Sequence, residues 1–150
     1  MAGQENTAAS PTVPVRDEVW RDDRGKLTIR YPASHVMVFK YEGHFGETVV
    51  PFVEAAVNRV LSAGVTPDIY VDLEPMTGYD SAYRIAITKW GNGVRDRCGK
   101  WMMLTRSRLV AMGVAVSNLA TGGTLEATTK RTEFDVEIAA SLRRGPRPKV

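Results

Sequence analysis

Two β-rich runs, Lys26 to Tyr31 (KLTIRY) and His35 to Glu42 (HVMVFKYE), are parted only by Pro32, Ala33 and Ser34. β-branched and aromatic residues suit a pleated, half-buried surface, so this pairing predicts a hairpin. Beyond Glu42 the chain alternates between helix and strand patterns. From Glu47 to Ala63 the residues Val49, Val53, Ala56, Val57 and Val60 recur at helical spacing. Pro51 sits in the first turn, where its missing N–H is harmless, and Gly64 supplies a left-handed stop. Asp68 to Leu73 (DIYVDL) reads as a short strand ended by Glu74, Pro75 and the turn-like Thr77-Gly78.

A second helix is expected over Ser81 to Cys98, with Tyr83, Ile87, Trp90 and Val94 on one stripe. Gly91 and Gly93 weaken it and suggest a kink, a close contact or an earlier end. Trp101 to Leu104 (WMML) has the continuous apolar character of a central strand covered on both faces. Ser107 then caps a third helix with a wide apolar face from Leu109 to Ala120, stopped at Gly122-Gly123. A short edge strand over Thr124 to Thr128 precedes a last amphipathic helix marked by Phe134, Ile138 and Leu142. The order is ββαβαβαβα. Such a sequence makes an α/β fold: an N-terminal hairpin followed by βαβαβα crossovers in a mixed, largely parallel sheet.

At 150 residues the chain suits one domain. Residues 1–15, rich in Ala, Thr, Ser, Pro and polar amides, read as a disordered tail, residues 16–142 as the domain, and RRGPRPKV (143–150) as a basic flexible tail. Of the 20 basic residues four lie in that last segment, and of the 17 acidic residues only Glu5 precedes residue 16. Cations and carboxylates therefore balance between the tails, which argues against nucleic acid as partner. No apolar run approaches a membrane span and no leader-like segment is seen, so a cytoplasmic location off the membrane is expected.

Chemistry is sparsely provided for. Cys98 is the single cysteine, and His35 and His44 are the only histidines, without neighbours at ligand spacing. No metal, no cofactor and no activated nucleophile are therefore expected. Asp72 and Glu74 share one face of a strand end and are read as solvated or partner-facing groups, since nothing else completes an acid/base site. The informative stretch is Val71 to Arg84, VDLEPMTGYDSAYR. Here Asp80 is expected to cap a helix with its side chain and to leave the Ser81 hydroxyl in solvent, where a phosphate would add nearly two negative charges to the helix start.

VDLEPMTGYDSA and the order of elements resemble the STAS domain, the family of bacterial anti-sigma-factor antagonists, over about residues 24–142. The resemblance sets Asp72 at the family's strand aspartate, Asp80 at its motif aspartate, Gly43 at the glycine after the second strand, and Ser81 at the serine phosphorylated in regulatory members. Ala82 and Tyr83 stand where Ser and Gly usually follow. It implies a non-enzymatic signalling domain whose partner is an anti-sigma kinase or another signalling protein. The binding surface would comprise Asp72, Gly78, Asp80, Ser81, Arg84 and Gly43, and a homo-oligomer stays open. The alternative is a carrier or sensor of a small apolar ligand, in a pocket near Gly91, Gly93 and Met112.

Overall fold

The computed structural model describes residues 16–110, 112 and 125–148. The expected tail over 1–15 and most of the expected helix from Ser107 to Ala120 lie outside them. Among the described residues there are seven strands: β1 (Glu18–Arg21), β2 (Gly25–Ala33), β3 (Val36–Phe45), β4 (Asp68–Asp72), β5 (Met76–Tyr79), β6 (Trp101–Leu104) and β7 (Leu125–Thr128). Three helices are complete: α1 (Val50–Ser62), α2 (Ser81–Val94) and α3 (Arg131–Arg144). The sheet runs β1-β2-β3-β4-β6-β7, with β5 pairing beside the end of β3. β2 runs antiparallel to both of its neighbours, β1 and β3, and β3, β4, β6 and β7 are parallel. This is the expected mixed α/β sheet, with β1 and β5 as additions.

The hairpin turn is tighter than expected. Pro32 and Ala33 belong to β2, and the turn is made by Ser34 and His35. The register slips between Arg30 and Ala33, which takes Pro32, lacking an N–H, out of the ladder. Along β3, Val36 to Phe39 are all buried because helices cover both faces of the sheet, as central parallel strands require. Met37, Phe39 and Ile69 pack with the apolar stripe of α1 and with Tyr83 of α2. Val36, Val38, Tyr70, Met102 and Leu104 turn the other way and meet Phe134 of α3. Each such fully buried side chain contributes about 1.5–3 kcal/mol.

Helix α1 closes as its sequence suggests. Gly64 has φ 80°, its N–H reaches the Leu61 carbonyl at 3.0 Å, and the Val65 N–H reaches that of Val60 at 3.3 Å, the paired bonds of a left-handed glycine stop. Helix α2 continues through Gly91 and Gly93 to Val94, and a short 3-10 turn over Arg95–Arg97 replaces its expected last residues. Ser107 accepts the Val110 N–H at 3.1 Å, and residues 108–110 and 112 are helical. β6 is less enclosed than expected, since Trp101 and Met103 are only partly buried on the α2 side.

The basic C-terminal segment does not lie free. Arg143 and Arg144 complete α3, and Arg144 and Arg147 both pair with Asp68, which is fully buried. The Lys100 N–H adds a bond of 2.8 Å to the same carboxylate.

Candidate functional site

The parallel pairing of β5 with β3 brings the two stretches singled out in the sequence together. Gly43 lies opposite Met76, His44 opposite Gly78, and Phe45 opposite Tyr79. The strand pattern in HVMVFKYE does not stop at Glu42 but continues through Gly43 to Phe45. Gly43 has φ 91°, and a Cβ there would overlap the Arg24 carbonyl oxygen. Its role is thus a backbone one: it lets the β1–β2 turn close over β3.

Asp80 occupies the N-cap position of α2, yet its carboxylate makes no cap hydrogen bond. It accepts instead from His44 Nε2 at 2.7 Å and from Arg24 Nη2 at 3.0 Å, with Nη1 at 3.4 Å. A carboxylate only accepts, so this His44 nitrogen carries the hydrogen. Gly46 and Gly78 make room for the cluster: a Cβ on Gly46 would come within 3.0 Å of both Arg24 and Asp80, and one on Gly78 within 3.0 Å of His44 Nδ1. The Arg24 guanidinium first, and His44 second, hold the Asp80 carboxyl down at about 2. Ser81 follows directly, exposed, as the first residue of α2.

Arg84 is exposed on the same helix, so Gly78, Asp80, Ser81 and Arg84 share one end of the domain with Gly43. Asp72 does not join them. Only 7% of its side chain is exposed, and Arg131, at the start of α3, binds both Asp72 Oδ2 at 2.8 Å and Glu74 Oε1 at 2.6 Å. The two carboxylates therefore clamp the start of α3, with Asp72 buried and the Glu74 side chain 35% exposed. Cys98 is buried, and that burial pushes its thiol up to about 11, opposite to what a nucleophile needs.

Reading of local sequence missed Arg24 and His44 as members of this cluster. Arg24 lies 56 residues from Asp80 and His44 lies 36 residues from it. No spacing rule connects them, and only the β5 pairing, hidden in a Pro- and Gly-containing stretch that reads as a turn, brings them together.

Behind the α2 start lies a cavity of about 470 Å³. Phe39, Ile69 and Val71 of the sheet form its floor, Ile87 and Trp90 of α2 one wall, and Arg84, Arg95 and Arg106 are its charged lining among the described residues. Gly91 lines it, as the apolar-ligand alternative expected. Gly93 and Met112 are not among its described lining residues; Met112 lies in a shallow depression beside Thr128 and Lys130.

Two solved structures place the architecture. The anti-sigma factor antagonist SpoIIAA in its unphosphorylated form is 12% identical, with a TM-score of 0.55 over 77% of this chain and 98% of that one. An uncharacterized protein with a SpoIIAA-like fold from Shewanella loihica PV-4 is 15% identical, with a TM-score of 0.53 over 81% of this chain and 91% of that one. No family model matches the chain, and no curated protein matches it. The chain has the SpoIIAA-like fold, the one that the STAS resemblance implied. No described helix is long and apolar enough to cross a membrane.

Proposed function

We propose that the domain is a regulatory protein-binding module that works by docking, not by turnover, at the surface formed by Gly78 to Arg84 and the adjoining Glu42 to Glu47. One observation carries the reading: Ser81 stands exposed at the start of α2, next to an Asp80 already held by Arg24 and His44. With the Asp80 carboxylate engaged elsewhere, the first-turn amides of α2 have no side-chain cap and can meet an acceptor on a partner. A phosphate on Ser81 would take those amides itself and repel an acidic or apolar partner. The fold shared with an anti-sigma factor antagonist supports an anti-sigma kinase or a comparable signalling protein as that partner. Asp72 and Glu74 are paired with Arg131, Cys98 is buried in the core, and His44 and Asp80 are paired with each other at the docking surface.

The test is capture from the native cytoplasm with wild type, Ser81→Ala and Ser81→Asp, together with intact-mass analysis of the domain. A partner held by wild type and Ser81→Ala and released by Ser81→Asp is the expected result, with a phosphate-sized increment on Ser81. Unchanged capture by Ser81→Asp would sink the switch.

The cavity favours a second reading, the binding of a small and largely apolar ligand. Its volume of about 470 Å³ falls within the roughly 300–1,000 Å³ of small-molecule sites.

A further inference from the structure

We propose that the cavity between α2 and the sheet takes a small amphipathic anion, with its apolar body against the sheet and a single carboxylate-like head at the arginines. This deepens the ligand reading and rests on it, although Gly78 and Arg84 belong both to the cavity lining and to the partner surface.

Two observations converge. The walls are mainly apolar, formed by side chains such as Phe39, Val71 and Ile87, which suits a hydrocarbon or aromatic body. Every charged residue among the described lining is an arginine, with no Asp or Glu to oppose Arg84, Arg95 and Arg106. Arg95 is engaged with Asn92 Oδ1 at 2.7 Å. The exposed Arg84 and Arg106 make no ion pair with a described residue and are available to an incoming anion. Planar guanidinium groups match a carboxylate in charge and in hydrogen-bond geometry. A cationic ligand would meet the arginines with the wrong sign.

Trp90 and Trp101 pack edge to face with centroids 6.0 Å apart, and both line the cavity, so tryptophan emission reports its filling. The experiment titrates the full chain with decanoate and, in parallel, with decanol, which keeps the chain length and removes the charge. Saturable change with decanoate is expected, at an affinity about tenfold above that for decanol. Arg84→Gln with Arg106→Gln, both on the surface, is expected to erase that preference while leaving decanol binding unchanged. Ile87→Phe and, separately, Gly91→Leu are expected to weaken decanoate binding about tenfold by filling the space; the second pushes a side chain toward Trp101, where a Cβ already comes within 3.8 Å. Equal affinity for decanoate and decanol would overturn the anionic assignment. Decanoate binding unaffected by both filling variants would overturn the location. No saturable change with either probe would overturn the proposal as a whole and leave the space to the apolar face expected from Leu109 to Ala120 or to an inserted partner side chain. Ser81 is not among the described lining residues, so capture by the Ser81 variants reads the partner surface and the decanoate titration of wild type reads the cavity, and failure of the one reading is separable from failure of the other.

Discussion

Asp80 and His44 meet at 2.7 Å across the parallel junction of β3 and β5, and that bond decides what the start of α2 can do. An aspartate at an N-cap ordinarily folds back onto the helix amides. Here it is drawn outward by His44 and Arg24, so the helix start is positioned by strand β3 and by the β1–β2 turn instead of by its own cap. The exposed Ser81 is thus mounted on a braced corner, with partly exposed side chains on both sides of the Arg24–Asp80 pair.

That corner is expected to respond to acid in a defined window. The Asp80 carboxyl is lowered from 3.8 to about 2, first by Arg24 and then by His44. A group whose pKa falls on folding binds its proton more readily in the unfolded chain. Its stabilisation is therefore complete above 3.8 and is lost as pH falls toward about 2. In Asp80→Asn this component should vanish, so the urea midpoint of the variant should fall less steeply than that of wild type across this window. Parallel curves for the two proteins would contradict the pairing.

Gly43 and Gly93 offer opposite outcomes from the same substitution. Gly43 combines φ 91° with a Cβ direction blocked by the Arg24 carbonyl, so Gly43→Ala should cost at least about 2 kcal/mol and disturb the β1–β2 turn that carries Arg24. Gly93 lies within α2, and a Cβ there meets nothing within 4 Å. Gly93→Ala should stabilise by up to about 1 kcal/mol through helix propensity alone. Chemical denaturation of the two variants beside wild type checks both signs.

Cys98 should be silent in the native protein. Burial is the largest cause raising its thiol to about 11, and Arg97 offsets it only in part. Since the thiolate is the reacting form, a disulfide reagent at neutral pH should release its chromophore only as the protein opens. Labelling should follow the unfolding transition in denaturant, and fast stoichiometric labelling of the folded form would show that the thiol is accessible.

Much of the architecture was legible because it depends on local periodicity. The valines of α1, the Phe134–Ile138 spacing of α3 and the apolar run of β3 each betray their element within one window of sequence. β1 and β5 were not. Glu18–Arg21 alternates but is short and charged, and Met76–Tyr79 carries Gly78 beside Pro75, residues that ordinarily mark a turn. They become strands because neighbouring edges offer unpaired backbone groups. The site divides in the same way. Ser81 and Asp80 stand out as a helix start, whereas the partners of Asp80, of Asp72 and of Asp68 come from distant segments. Those ion pairs are products of the completed fold, and charge counted along the chain leaves them invisible.

The clasp on Asp68 gives the clearest contrast between a solvated tail and a structural one. The carboxylate is fully buried, and its cationic partners Arg144 and Arg147 approach from the last turn of α3 and just beyond. Removing both arginines would leave a buried charge supported mainly by the Lys100 N–H. Such an orphaned charge costs about 3–5 kcal/mol, and the partial exposure of the two arginines brings the expected loss to about 2–3 kcal/mol for Arg144→Ala with Arg147→Ala. Adding Asp68→Asn to that variant should restore part of the loss, because the neutral amide needs no counter-charge. A free basic tail predicts a change within about 0.5 kcal/mol and no rescue. Equilibrium urea denaturation of wild type, the double variant and the triple variant distinguishes the two, and a full loss without rescue would show that the arginines act through packing on the helix end and not through the Asp68 charge.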